Sequence, residues 1–188
     1  MKKFILFLVF AIPVIITLTL RFFGENTFSI PIYYESGLTS LGCGISTTEQ
    51  YRINNLAQIS LIDRTSIVFI TSQLNNHVAS IRVELNRVLS TKVKNNRVQV
   101  LAIGDLEASE RIEDDFTNVV IEQDELVNFV SCDLLISEQP FDDIYSILVL
   151  IDREGRIRGY FEGGEQEDFD RLSAELDILE LEYQKNDE

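Results

Sequence analysis

Three side chains stand out as able to hold a soft metal or exchange electrons: the single histidine His77 and the two cysteines Cys43 and Cys132. His77 follows Gln73 by four residues, so on a helix the two share a face. Such a pair could form a weak Cu(II) or Zn(II) contact, but a lone histidine there is more simply a polar residue beside a loop. The cysteines could be a displaced redox pair, a structural bridge or two half-buried thiols. The plainest expectation is two thiols, because a bridge between residues so distant in sequence needs the fold to bring them together. The carboxylates form runs, Glu107 to Asp115 and Asp142 with Asp143, without the spacing of a calcium loop. No Ser–His–Asp set can be built around one histidine, and no glycine-rich phosphate loop is present.

The element that positions this chemistry is Ser66 to Ser90. Ile67, Val68, Phe69 and Ile70 form an apolar run rich in branched and aromatic side chains, which reads as a buried strand. After Thr71, Ser72 and Gln73, apolar residues recur at Leu74, Val78, Ile81, Leu85, Val88 and Leu89, the spacing of one helical stripe. A strand feeding a helix in this way opens a βαβ unit, whose functional edge is the strand's C-terminal end and the helix N-terminus. Thiol chemistry of that edge needs a thiolate near the helix start. Between Thr71 and His77 there is none.

Lys2 and Lys3 precede an apolar run from Phe4 to Leu20, closed by Arg21. It lies near the lower limit of the roughly 17–25 residues that span a bilayer. Residues 1–23 are therefore expected to be an uncleaved transmembrane helix with a cytoplasmic N-terminus and an extracytoplasmic body. A cleaved signal peptide is the competing reading, but bulky residues follow Leu20 where a small-residue cleavage site would stand. The formal net charge of −15 disfavours nucleic acid and anionic lipid as partners. A hydrophobic fraction of 45% without low-complexity tracts indicates a globular body.

Residues 24–65 read as a juxtamembrane segment with short strands. Phe28 to Tyr34 alternates as an extended edge piece, Gly37, Gly42 and Gly44 form a loop around Cys43, and Gln50 to Ile62 holds a short strand or hairpin. Residues 66–185 form the main domain. Val98–Ile103 is its second strand, Glu107–Phe116 a weakly helical stretch, and Asn118–Ile121 a short strand. Asp124 is expected to cap a short helix ending near Cys132. Ser146–Ile151 and Arg156–Phe161 form a hairpin about Asp152–Gly155, and a final helix carries Phe169, Leu172, Leu176, Leu179 and Tyr183. A parallel βαβ followed by an antiparallel ββα is the thioredoxin-like order, an α/β fold with a mixed central sheet flanked by helices.

On the stretches VFITSQLNNHVASI (residues 68–81), LVNFVSCDLLI (126–136) and FDDIYSILVLIDREGRIRGYF (141–161), the chain resembles the Sco/SenC family of membrane-anchored, thioredoxin-fold copper proteins. Members of that family carry a Cys-x-x-x-Cys after the first strand and a histidine before the hairpin, which together hold copper. Here the matching positions are Gln73, His77 and Ile144. Glutamine is a poor ligand for copper and isoleucine is none. The resemblance thus implies a degenerate member with no catalytic residue, no cofactor and no metal site. It would act through protein partners in the cell envelope, in the setting of respiratory oxidase or copper-centre assembly. The alternative expectation is a thiol-disulfide oxidoreductase or metallochaperone using Cys43, Cys132 or His77, which requires those three side chains to converge.

Overall fold

The computed structural model describes residues 11–18, 29–40, 43–56, 59–71, 77–92, 98–104, 116–136 and 143–186. Four short strands come first: β1 (Leu38–Ser40), β2 (Ile45–Thr47), β3 (Asn55–Leu56) and β4 (Ile59–Ser60). The main sheet follows. It comprises β5 (Thr65–Ile70), β6 (Val98–Gly104), β7 (Thr117–Val120), β8 (Ile147–Ile151) and β9 (Ile157–Glu162). Helix α1 (Val78–Lys92) joins β5 to β6, α2 (Gln123–Asn128) runs into a π-helical turn Phe129–Asp133, and α3 (Gln166–Asn186) closes the chain.

The strand order is β7-β6-β5-β8-β9. β5, β6 and β7 are parallel, whereas β8 and β9 are antiparallel additions. A central parallel βαβ extended on one side by an antiparallel hairpin and a terminal helix is the thioredoxin-like arrangement. Side chains alternate along these strands as the pleat requires. Ile67, Phe69, Val100, Ala102, Leu148 and Leu150 pack with Ile81, Leu85, Phe169 and Leu172, under α1 and α3. Val68, Ile70, Leu101, Ile103, Val149 and Ile151 pack with Leu126, Phe129 and Val130, under α2. Both faces of the sheet are covered, and for this reason β5 and β8 are buried end to end.

β9 carries a bulge. Leu150 faces Gly159 while Ile151 faces Ile157, so Arg158 is the extra residue. It resets the alternation: Ile157 and Tyr160 lie in the α2-side core, and Phe161 lies in the α3-side core.

The residues before β5 wrap the outer edge of β9. Ile30 packs on the α3 side. The Tyr33 amide donates to the Ile157 carbonyl at 3.0 Å, and Tyr34 turns the chain with φ 55°. Leu38, Ile53, Leu56 and Leu61 then enter the α2-side core. Gly155, with φ 76°, sits under the Ile53 carbonyl in a turn where a Cβ would collide.

Several expectations are corrected here. The loop expected about Cys43 is the turn of the β1–β2 hairpin, with Gly44 in the turn and Gly37 just before β1, while Gly42 lies outside the described residues. The extended piece at Phe28–Tyr34 is no strand over residues 29–34, since it meets β9 through single bonds instead of a ladder. Helix α2 starts at Gln123 after Glu122, with no side-chain cap, and Asp124 lies inside its acidic first turn. The transmembrane expectation falls largely outside the described residues. Residues 11–18 are helical, and among the described residues no helix is long and apolar enough to cross a membrane. The stretch 107–115 also lies outside them.

Candidate functional site

The edge where this fold would carry chemistry is the C-terminal end of β5. Thr71 is buried there, and its amide donates to the Ile103 carbonyl at 2.7 Å. Gln73 lies outside the described residues. His77 stands exposed in the turn before α1, and its carbonyl accepts the Ile81 amide and the Ser80 hydroxyl, both at 2.9 Å. Its imidazole lies against Gly164, where even an added Cβ would be only 3.4 Å from the ring. Ile144 opens the 3₁₀ turn Ile144–Ser146 before β8, capped by Asp143, whose carboxylate accepts the Tyr145 amide at 3.0 Å. That cap gives Asp143 a structural role.

Cys43 and Cys132 are not free thiols. They form a disulfide with a Cα–Cα distance of 5.4 Å, and it closes a sequence separation of 89. Cys132 sits in the π turn after α2, and Cys43 in the turn between β1 and β2. Wrapping the chain around β9 brings the hairpin over the α2 face, which is how residues so distant come within bonding range. The Tyr51 hydroxyl donates nearby to the carbonyls of Cys132 (3.3 Å) and Asp133 (3.1 Å). Burial, then the Asp133 charge, push the Tyr51 phenol up to about 12.

The three candidate side chains therefore do not converge. The disulfide lies over the α2 face of the sheet, whereas His77 begins α1 on the opposite face. Among the described residues, no three His, Cys, Asp or Glu side chains gather as a metal site. Of the positions set against the family's copper ligands, Ile144 offers no donor atom, Gln73 lies outside the described residues, and both cysteines of the chain are joined in a bridge elsewhere.

A second polar centre went unnoticed in the sequence. Asp152, wholly buried at the end of β8, accepts the backbone amides of Glu154 and Arg156 at 2.9 and 3.0 Å. Its other oxygen accepts Arg156 Nε at 2.6 Å and Arg158 Nη1 at 3.1 Å. Arg158, 2% exposed, also donates to the Ile30 carbonyl at 2.9 Å and to Glu182 at 2.8 Å, and Glu182 in turn accepts the Ile30 amide at 3.0 Å. Each charge in this cluster is matched, as burial demands, and it clasps the strap at Ile30. The signal was present as an aspartate followed by arginines four and six residues on, but Glu182 and Ile30 had no local cue.

Two of the hollows lined by described residues open to solvent. One, of about 720 Å³, is lined at the start of α3 by Glu162, Glu165, Glu167, Asp168, Asp170 and Arg171. Arg171 pairs with Asp168, and Arg87 with Asp170, so part of that charge is balanced. The other, of about 490 Å³, runs along α2 beside the end of β7.

No family model matches this sequence, and no curated protein matches it. Solved structures do resemble its fold. An SCO1/SenC family lipoprotein from Bacillus anthracis is 12% identical over 63% of this chain and 83% of its own, with a TM-score of 0.48. BsSco, a member of the Sco family of cytochrome c oxidase assembly proteins, is 12% identical over 80% of this chain and 94% of its own, at 0.47. Copper-bound ScoI of Bradyrhizobium japonicum is 15% identical over 63% and 85%, at 0.41. The thioredoxin-like fold itself stands on the strand order described above.

Proposed function

We propose that this chain is a membrane-tethered, extracytoplasmic thioredoxin-like protein that works by contact with other proteins and performs no thiol or copper chemistry of its own. The supporting observation is the disposition of its cysteines. Both are joined in one bridge over the α2 face, across the sheet from the α1 N-terminus, where this fold would place a reactive thiolate. The bridge fastens the N-terminal strap to the body. Its presence accords with an oxidising compartment. The sequence resemblance to Sco/SenC suggests respiratory oxidase or copper-centre assembly as the setting.

The test pairs two assays on the full chain in detergent. Insulin reduction driven by dithiothreitol is expected to run at the uncatalysed rate, and elemental analysis after copper loading and dialysis is expected to find no stoichiometric metal. Catalysed reduction lost in Cys132→Ser would establish the oxidoreductase alternative. One copper per chain, lost in His77→Ala, would establish the metallochaperone alternative.

A further inference from the structure

The smaller hollow is built as a groove. Its lining follows one stripe of α2 and the π turn, from Ile121 at the end of β7 through Asp124, Glu125, Asn128 and Phe129 to Asp133. Ile121 and Phe129 give it an apolar floor, and both are nearly buried, at 9% and 7% exposure. Val120 at its mouth is 46% exposed. The rim is acidic. Asp124, Glu125 and Asp133 have no ion-pair partner among the described residues; at the α3 hollow Arg171 and Arg87 pair with Asp168 and Asp170. Asp133 stands exposed at the end of the groove, and partial desolvation holds its carboxyl above the usual carboxylate range. A cation brought beside it would restore the charged form.

We infer that this groove between β7 and α2 receives a basic, extended segment of a partner protein, with an apolar side chain on Ile121 and Phe129 and a lysine or arginine among Asp124, Glu125 and Asp133. The occupant follows from charge and size. The exposed Val120 beside an apolar floor favours a partly apolar ligand. Three carboxylates with no ion-pair partner among the described residues, in a chain of net charge −15, select a cationic one and repel anionic lipid or nucleic acid. From Asp124 to Asp133 the helical rise is about 14 Å, the span of about four extended residues. The inference rests on the reading of this domain as a contact protein and supplies the chemistry of the partner.

The probe is a capped hexapeptide of alternating lysine and valine, titrated into the full chain in detergent and followed by amide chemical shifts and calorimetry. Saturable binding is expected, with shifts confined to residues 120–133 and affinity falling as salt rises. The double variant Glu125→Gln, Asp133→Asn should weaken it about five- to tenfold. Glu167→Gln, the same kind of charge change at the start of α3, should leave it unaltered. No binding at millimolar peptide overturns the inference. So does equal loss in Glu167→Gln, or equal affinity for hexalysine, either of which reduces the effect to bulk charge. Failure here beside an inert insulin assay removes this surface and leaves the contact reading standing, whereas catalysed insulin reduction removes that reading whatever the peptide does.

Discussion

Removing the disulfide is the sharpest perturbation the fold offers. The bridge joins residues 89 apart. For a closed loop of that size the chain-entropy relation gives about 4.6 kcal/mol of stabilisation, through the freedom the cross-link takes from the unfolded chain. The native strap should survive the loss of the bond, because it has other anchors. Tyr33 binds Ile157, Ile53 binds Gly155, and Arg158 with Glu182 holds Ile30. The double variant Cys43→Ser, Cys132→Ser is therefore expected to fold and to lose about 2–5 kcal/mol, the usual range for deleting a native bridge. At about 2–4 °C per kcal/mol for a domain of this size, its melting midpoint should fall by roughly 4–20 °C. Urea unfolding of wild type and variant measures the difference directly, and wild type with a phosphine reductant should reproduce it. Thiol counting on unfolded, unreduced protein should find none. A stability change under about 1 kcal/mol, or two free thiols in that count, would refute the reasoning.

Three further outcomes follow from the buried groups. Asp152→Ala takes the buried shared carboxylate from Arg156 and Arg158, leaving them Glu154 and Glu182, and should cost roughly 3–5 kcal/mol; a loss within about 1 kcal/mol in urea unfolding would contradict the described cluster. Burial pushes the Glu175 carboxyl up against the pull of Arg171 and Arg158. The folded chain thus keeps that proton to higher pH than the unfolded chain. The stability it contributes is present below the ordinary glutamate value and lost as pH rises through the raised one. Glu175→Gln should accordingly raise the urea midpoint at pH 7 and lose its advantage at pH 4; a midpoint lowered at pH 7 contradicts this. For Tyr51 the phenol is raised from 10.0 to about 12, so its contribution is intact below 10 and falls away as pH climbs toward 12. Alkaline difference spectra should show one tyrosinate step near that value that disappears in Tyr51→Phe, and an unchanged titration curve would rule it out.

What the sequence made legible was whatever is written in periodicity. Val68 and Ile70 point one way and Phe69 the other, yet both faces are buried, so β5 appears as an unbroken apolar run. The βα step and the Asp152–Gly155 hairpin followed from short-range pattern in the same way. What stayed hidden depends on distance. Nothing near Cys43 points to Cys132, because their meeting is made by a strap that crosses β9. Nothing near Ile30 announces that Glu182 and Arg158 will grip its peptide group. The β1–β2 hairpin was obscured because its glycines read as loop punctuation. For the candidate site, the departure of Gln73, His77 and Ile144 from a copper-binding set was plain from residue type alone. The groove along α2 was not, since its acidic residues look like an ordinary solvated helix face until Ile121 and Phe129 are seen beneath them.

The extra residue at Arg158 gives this hairpin an asymmetric tolerance to change in chain length. Upstream of it, Ile157 sits in phase with one layer; downstream, Tyr160 and Phe161 follow the opposite count. A one-residue insertion between them would throw Ile157 onto the far layer, whereas deleting Arg158 would leave Ile157 opposite Ile151 and withdraw the guanidinium that grips Ile30. Relatives that share this strand should therefore keep its length while its outward-facing letters drift.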